Sequence, residues 1–392
     1  MRGLLFCLIT ATTATASIAS ADVPRVDAPH EFIAEARALL IVGACGEGTP
    51  PATIKPAVVE AHCKILKKSQ DEYKAGWMTD ADAFFAALVP PTVAKTVAKT
   101  VVYPFAGGDL STALSVYPDA DEITTLSLEP AGDPLDLDRL ARLARLDDRE
   151  LKSALVTVEK ELGSLYRSNF SVTMNMIGAM RSATLPTQLI FSLSALSLHG
   201  YEPTSLRYFK LSSDGTVEYM SDAEVAAAEK ITAAGARNRR FANVELRFHK
   251  IGSTHEQIYR HILANLDDAH LEKDRGPLAH LIKKGHVAAM TKAASYLLTF
   301  DEFKQMRQYV IDHVDWMVSD STGLAPTWGT PAGFEYETYG SFVSSNMAAG
   351  QPVAPVWKKL FESQPKRPLK FRFGYPDGKN HSGHLIVMRR KA

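Results

Sequence analysis

VVYPFAGGDLSTALSVYPDADEITTLSLEPAGDP, Val101 to Pro134, is the stretch on which the fold turns. Val101 to Phe105 is a β-branched and aromatic run suited to a buried strand. Ala106-Gly107-Gly108-Asp109 turns the chain, and Leu110 to Val116 fits a short helix stopped near Pro118. Glu122 to Leu128 reads as the next strand, ended by Glu129-Pro130. Two short strands joined by a helix make a right-handed βαβ unit with parallel strands. Their apolar content suits burial on both faces, which places them side by side at the centre of a sheet. The order strand, glycine turn, helix, strand, acid is that of a nucleotide-binding half-fold.

Upstream, helices are expected over His30–Val42, from Ala57 into Lys68, and over Ala81–Leu88, closed by Pro90 and Pro91. The glycines of GACGEGTPP are not a phosphate loop, because Pro50 and Pro51 leave no helix N-terminus there. Downstream, Asp147 and Glu150 have capping-box spacing. Leu151, Leu155, Val158, Leu162 and Leu165 then form a core-facing stripe. Leu185–His199 is a further apolar helix. Ser205–Leu211 and Thr216–Met220 form a hairpin, Ser221 and Glu224 cap a helix stopped at Gly235, and Asn243–His249 alternates as a strand. Ser253 and Glu256 are expected to cap a helix carrying Ile258, Ile262 and Leu266. The alanines favour helix over Val287–Phe300. Thr299 and Glu302 cap another helix with Phe303, Met306, Val310, Val314 and Met317 facing in. PLKFRFGYP and GHLIVMRR, joined by DGKNHS, read as a C-terminal hairpin. The fold expected is α/β: a Rossmann-like mixed sheet with a parallel centre, antiparallel additions including that hairpin, and helices on both faces.

The first 21 residues have the parts of a signal peptide in order: Arg2, an apolar run from Leu4, and Ala19-Ser20-Ala21 before Asp22. Residues 22–92 then form an N-terminal helical region, and 93–392 the Rossmann-like domain with helical insertions. Export makes Cys45 and Cys63, the two cysteines beyond the signal, a disulfide pair. No later stretch reaches the roughly 20 apolar residues of a membrane span. The 44 basic and 44 acidic residues cancel, so no nucleic-acid surface is indicated.

The sharpest site candidates are Asp109 and Glu129. Each follows a central strand, and ligands of open α/β sheets bind beyond the carboxyl ends of their strands. A pair of acids there can orient a sugar, amine or metal, or do acid–base work; alternatively Asp109 caps the helix at Leu110. Asp133 adds a third carboxylate. Histidine spacing argues against a metal: His255 and His261 stand six apart, and His381 and His384 three apart on an expected strand. Lys292 would share a helical face with Ser295 and Tyr296, in the reverse of the usual Ser–Lys order. Asp320-Ser321 in SDSTGLAP reads as a turn rather than a catalytic loop, and Tyr336, Tyr339, Phe342 and Trp357 as a satellite core or an aromatic groove.

VVYPFAGGDL, EITTLSLEPAGDP, KAASYLL, DSTGL and PLKFRFGY resemble segments of a group of exported bacterial proteins of undetermined activity, a resemblance spread along most of the mature chain. Residues 101–129 also resemble the front of the class I methyltransferases that use S-adenosylmethionine. That resemblance implies that Gly107 and Gly108 pass the cofactor and that Glu129 holds its ribose hydroxyls. Pro104 and the missing further glycines depart from the pattern, and Asp109 puts a negative charge where a phosphate would come. The expectation is a Rossmann-like shape without a nucleotide or other cofactor, binding a small polar ligand or an envelope component at the strand-end edge. The rival readings are a methyltransferase-like enzyme and an envelope hydrolase using Asp109 and Glu129.

Overall fold

The computed structural model describes residues 28–90, 93, 95–144, 148–169, 185–342, 353–374 and 383–391. The proposed signal segment, Asp147, His381 and the DGKNHS loop lie outside them. The opening stretch forms a true βαβ unit. Strand β1, Thr100–Tyr103, and strand β2, Glu122–Ser127, are parallel neighbours, with Val101 opposite Ile123 and Tyr103 opposite Thr125. The helix Leu110–Val116 connects them, and all seven of its residues are buried.

Eight further strands complete one sheet: β3 (Tyr201–Leu211), β4 (Val217–Tyr219), β5 (Asn243–Lys250), β6 (Glu256–Leu263), β7 (Val287–Thr291), β8 (Val314–Ser319), β9 (Phe334–Gly340) and β10 (His384–Arg390). Their order is β4-β3-β5-β6-β2-β1-β7-β8-β10-β9. The five strands from β6 to β8 are mutually parallel, and antiparallel pairs extend the sheet on both sides. Period-two alternation sends neighbouring side chains to opposite faces. Val101 and Tyr103 enter one core, and Val102 enters the other. The first core holds the helices Ile33–Val42, Pro56–Tyr73, Thr79–Leu88, Leu110–Val116, Arg149–Ser168 and Thr187–Leu198. The second holds Gly276–Lys283 and Lys304–His313. Helices therefore cover both faces of a mixed sheet.

The N-terminal helices belong to the first core. Phe85, 1% exposed, packs with Phe371 and Phe373, and Trp77 stacks on Tyr73. The core stripe of Arg149–Ser168 is buried as its spacing predicts, and the Ser221/Glu224 capping box forms. Cys45 and Cys63 are joined by a disulfide that ties the loop after Ile33–Val42 to the helix Pro56–Tyr73. Among the described residues, no helix is long and apolar enough to cross a membrane.

Several elements differ from the sequence expectation. The segment expected as a helix after Ser253 is strand β6. Tyr259 faces one core and Ile262 the other, and Glu256 pairs with Arg247 instead of capping. Val287–Thr291 is a strand as well, and only Ala293–Thr299 coils, as a 3-10 helix. The next helix stops at His313, so Val314 and Met317 belong to β8. The capped helix at Asp222 ends at Glu229 rather than at Gly235. Finally, β10 pairs with β8 and β9, while Pro368–Gly374 is not a strand. Phe371 and Phe373 alternate inward as a strand would, yet they pack on an aromatic cluster and have no ladder partner.

Candidate functional site

From β1 the chain moves outward through β2 to β6, and it later returns beside β1 with β7 and β8. The reversal puts a topological switch point between β1 and β7 at their carboxyl ends, the place where open α/β sheets bind ligands. Both loops at this point contain a residue in left-handed backbone without being glycine: Phe105 (φ 59°) after β1 and Ala293 (φ 54°) after β7. Such backbone costs about 1–2 kcal/mol per residue and persists where the surroundings enforce it.

An ion pair joins the two loops. Lys292 Nζ lies 2.5 Å from Asp109 Oδ2, and both side chains are buried. Tyr103 donates to Asp109 Oδ2 at 3.1 Å, and the Thr112 hydroxyl donates to Oδ1 at 2.7 Å. Lys292 also donates to Thr112 Oγ1 at 3.1 Å and to Asn169 Oδ1 at 3.4 Å, with the Phe373 ring 5.7 Å from its nitrogen. Tyr73 donates to the same Asn169 oxygen at 3.3 Å. Burial first, and then the Asp109 charge, push the Tyr73 and Tyr103 phenols well above their ordinary range, so both stay protonated donors. Asp109 precedes the helix at Leu110 but makes no side-chain bond to its backbone N–H groups. Its carboxylate serves the lysine instead.

Glu129 stands one loop away, after β2, in the opposite electrostatic condition. Its side chain is fully buried, and among the described residues neither carboxyl oxygen has a hydrogen-bond partner. Burial raises its pKa and outweighs the opposing effect of the nearby Ser127 hydroxyl and backbone amides. The Glu129 carbonyl sits 2.7 Å from His261 Nε2. A carbonyl only accepts, so Nε2 carries the proton and Nδ1 faces the Gln188 amide at 3.4 Å. Gln188 in turn donates to the Gly107 carbonyl at 3.0 Å, and its own oxygen has no partner among the described residues. Burial drives the His261 imidazole down to about 4, so it is neutral at ordinary pH. Gly107 (φ 55°) and Gly108 are both buried in this turn.

No protein family, curated protein or solved structure matches the chain. The site therefore rests on its own geometry. Asp109 and Glu129 both follow central strands at the carboxyl edge, but they are not hydrogen-bonded to one another. Asp133 is clamped by Arg237 and by Arg139 at 3.3 Å, a structural arrangement. His255 is exposed beside Asp121, and the buried His261 lies in a strand. Ser295 accepts from the Lys292 backbone N–H, while the lysine side chain extends away to Asp109. Trp357 belongs to a small satellite core with Val353 and Ile386, and Tyr336 packs on it. Cys45, His62 and Cys63 lie together, but the bridged sulfurs are not thiolate ligands. Sequence reasoning missed Asn169, Gln188 and His261 as parts of the site. They come from three distant segments, and no local pattern marks them.

Proposed function

We propose that the protein binds a small polar ligand, rich in hydrogen-bond donors, at the strand-end edge beside the Gly107–Gly108 turn, with Glu129 as its anchoring acceptor. The observation that carries this reading is the Glu129 carboxyl, buried with both oxygens unpaired. Burying such a group without a partner costs several kcal/mol, and hydroxyl or ammonium groups of a ligand would return that energy. The unpaired Gln188 oxygen offers a third acceptor on the other side of the His261 ring. The Cys45–Cys63 bridge supports an oxidising compartment, hence an exported protein whose ligand is an envelope component or small solute.

A methyltransferase-like reading is favoured by one observation: β1, the glycine turn, the helix, β2 and Glu129 follow in order, with an antiparallel end at β10 and β9. Against it, the buried Asp109–Lys292 pair fills the strand-end edge at the helix start. An acid–base pair of Asp109 and Glu129 draws no support, because Lys292 already engages the first. Titration calorimetry of wild type and Glu129→Gln against amino sugars, nucleosides and S-adenosylmethionine tests these readings. Micromolar binding of an amino sugar or nucleoside, lost in the variant, is the expected result. Binding of S-adenosylmethionine alone would move the assignment to the methyltransferase reading, and no binding by wild type would overturn both.

A further inference from the structure

The carboxyl end of β8 continues as Asp320-Ser321-Thr322. Because β10 runs antiparallel to β8, it begins at the same edge, with His384. Ser321 Oγ lies 2.8 Å from His384 Nε2, and the Ser321 backbone N–H donates to the same nitrogen at 3.1 Å. An N–H group can only donate, so Nε2 carries the lone pair and the ring proton sits on Nδ1. The Ser321 hydroxyl therefore donates to Nε2, the hydrogen bond a serine nucleophile makes to its base.

The surroundings suit that role. Burial pushes the His384 imidazole down against the pull of the Asp320 charge, which keeps the ring neutral and able to accept a proton. Asp320 is fully buried. It accepts from the Thr322 N–H at 2.9 Å, from the Thr322 hydroxyl, and from the Ala293 N–H at 3.1 Å. This fixes the serine loop and holds a carboxylate where it would stabilise an imidazolium. Among the described residues His384 Nδ1 has no hydrogen-bond partner, so Asp320 acts on the ring through its charge alone. Phe342 and Phe361 each place a ring centroid 5.9 Å from the imidazole. The same two rings line a groove of about 870 Å³ with Leu369, Lys358 and Lys366; Ser321 and His384 are themselves buried and do not line it, so the rings separate the pair from the groove.

We propose that Ser321 and His384 are a nucleophile–base pair that hydrolyses small carboxylic esters, with an apolar acyl group against Phe342 and Phe361. Ser321 Oγ attacks the carbonyl carbon while His384 Nε2 takes the hydroxyl proton. The C–O bond to the alcohol breaks, and the same proton leaves with the alkoxide. Water then attacks the acyl-Ser321 ester, His384 accepts a water proton, and Oγ regains it as the acid departs. The sum is ester plus water to acid plus alcohol, with no other reactant. The proposal does not depend on Glu129.

The test uses the full chain, a fluorophosphonate probe and p-nitrophenyl butyrate. Wild type is expected to take one probe per chain, mapped by peptide mass to Ser321, and to release p-nitrophenol. Ser321→Ala should abolish both while melting within a few degrees of wild type, and His384→Gln should slow labelling at least about 100-fold. If either variant fails to fold, the labelling site in wild type decides. Wild type left unlabelled, wild type labelled elsewhere, or folded His384→Gln labelled at the wild-type rate would overturn the proposal.

Discussion

Lys292 and Asp109 are both cut off from water, so each is tolerated only because of the other. Removing one partner of such a pair costs about 3–5 kcal/mol, because a charge is left buried and uncompensated. Lys292→Met should therefore lose about that much in urea unfolding, and the double variant with Asp109→Asn should recover a large part of it. A loss below roughly 1 kcal/mol in the single variant would mean that water reaches the pair. Glu129 should behave in the opposite way. Its folded pKa is raised, so the ionised form costs stability once pH exceeds the unfolded value. Glu129→Gln should stabilise the protein by about 1 kcal/mol or more at pH 7, with the gain vanishing near pH 4. Melting curves at the two pH values check this. Glu129 was legible in the sequence as an acid after a strand. Its isolation was not, because the absence of a partner depends on every segment that packs around it.

The disulfide acts on single elements. It closes an 18-residue separation between the loop after the first helix and the helix Pro56–Tyr73. In the chain-entropy account such a loop is worth about 3 kcal/mol. The double variant Cys45→Ser/Cys63→Ser should be less stable by that amount, and reductant should shift wild type toward it. Element reading from sequence succeeded where one period fitted alone, as in the stripe of Arg149–Ser168. It failed at β6 for a definable reason. Ile258, Ile262 and Leu266 are four apart, and four is a multiple of both the strand period and nearly one helical turn. At β7 the alanines pointed to helix, but Ala288 and Ala289 are buried on opposite faces of the sheet. Tertiary burial outweighed their propensity. At Pro368–Gly374 the alternation correctly reported which residues face inward, and said nothing about a ladder partner.

Across the molecule, the acid limit of stability should be set in part by Glu122. Burial raises its pKa, but Lys284 and Arg260 pull harder and bring it down to about 2. Lys284 is itself depressed by burial, which offsets part of the gain, so the net is on the order of 1–2 kcal/mol. A depressed carboxyl contributes stability above its unfolded pKa and loses it as pH falls through the folded one. Urea stability of wild type should drop between about pH 4.5 and pH 2, and Glu122→Gln should flatten that slope. An unchanged slope would assign acid sensitivity to other groups.

The order β8-β10-β9 has a bearing on how the molecule comes into being. Strand β10 is synthesised after both strands it separates, so the two cannot take their final neighbours until it arrives. Until then the β8 and β9 ladders have open edges, and Trp357 and Ile386 lack one another. The sheet is thus completed by insertion, not by addition at its rim. A chain that must remain unfolded to be threaded through a secretion channel would gain from this arrangement, since its late strand keeps one end of the sheet from closing early.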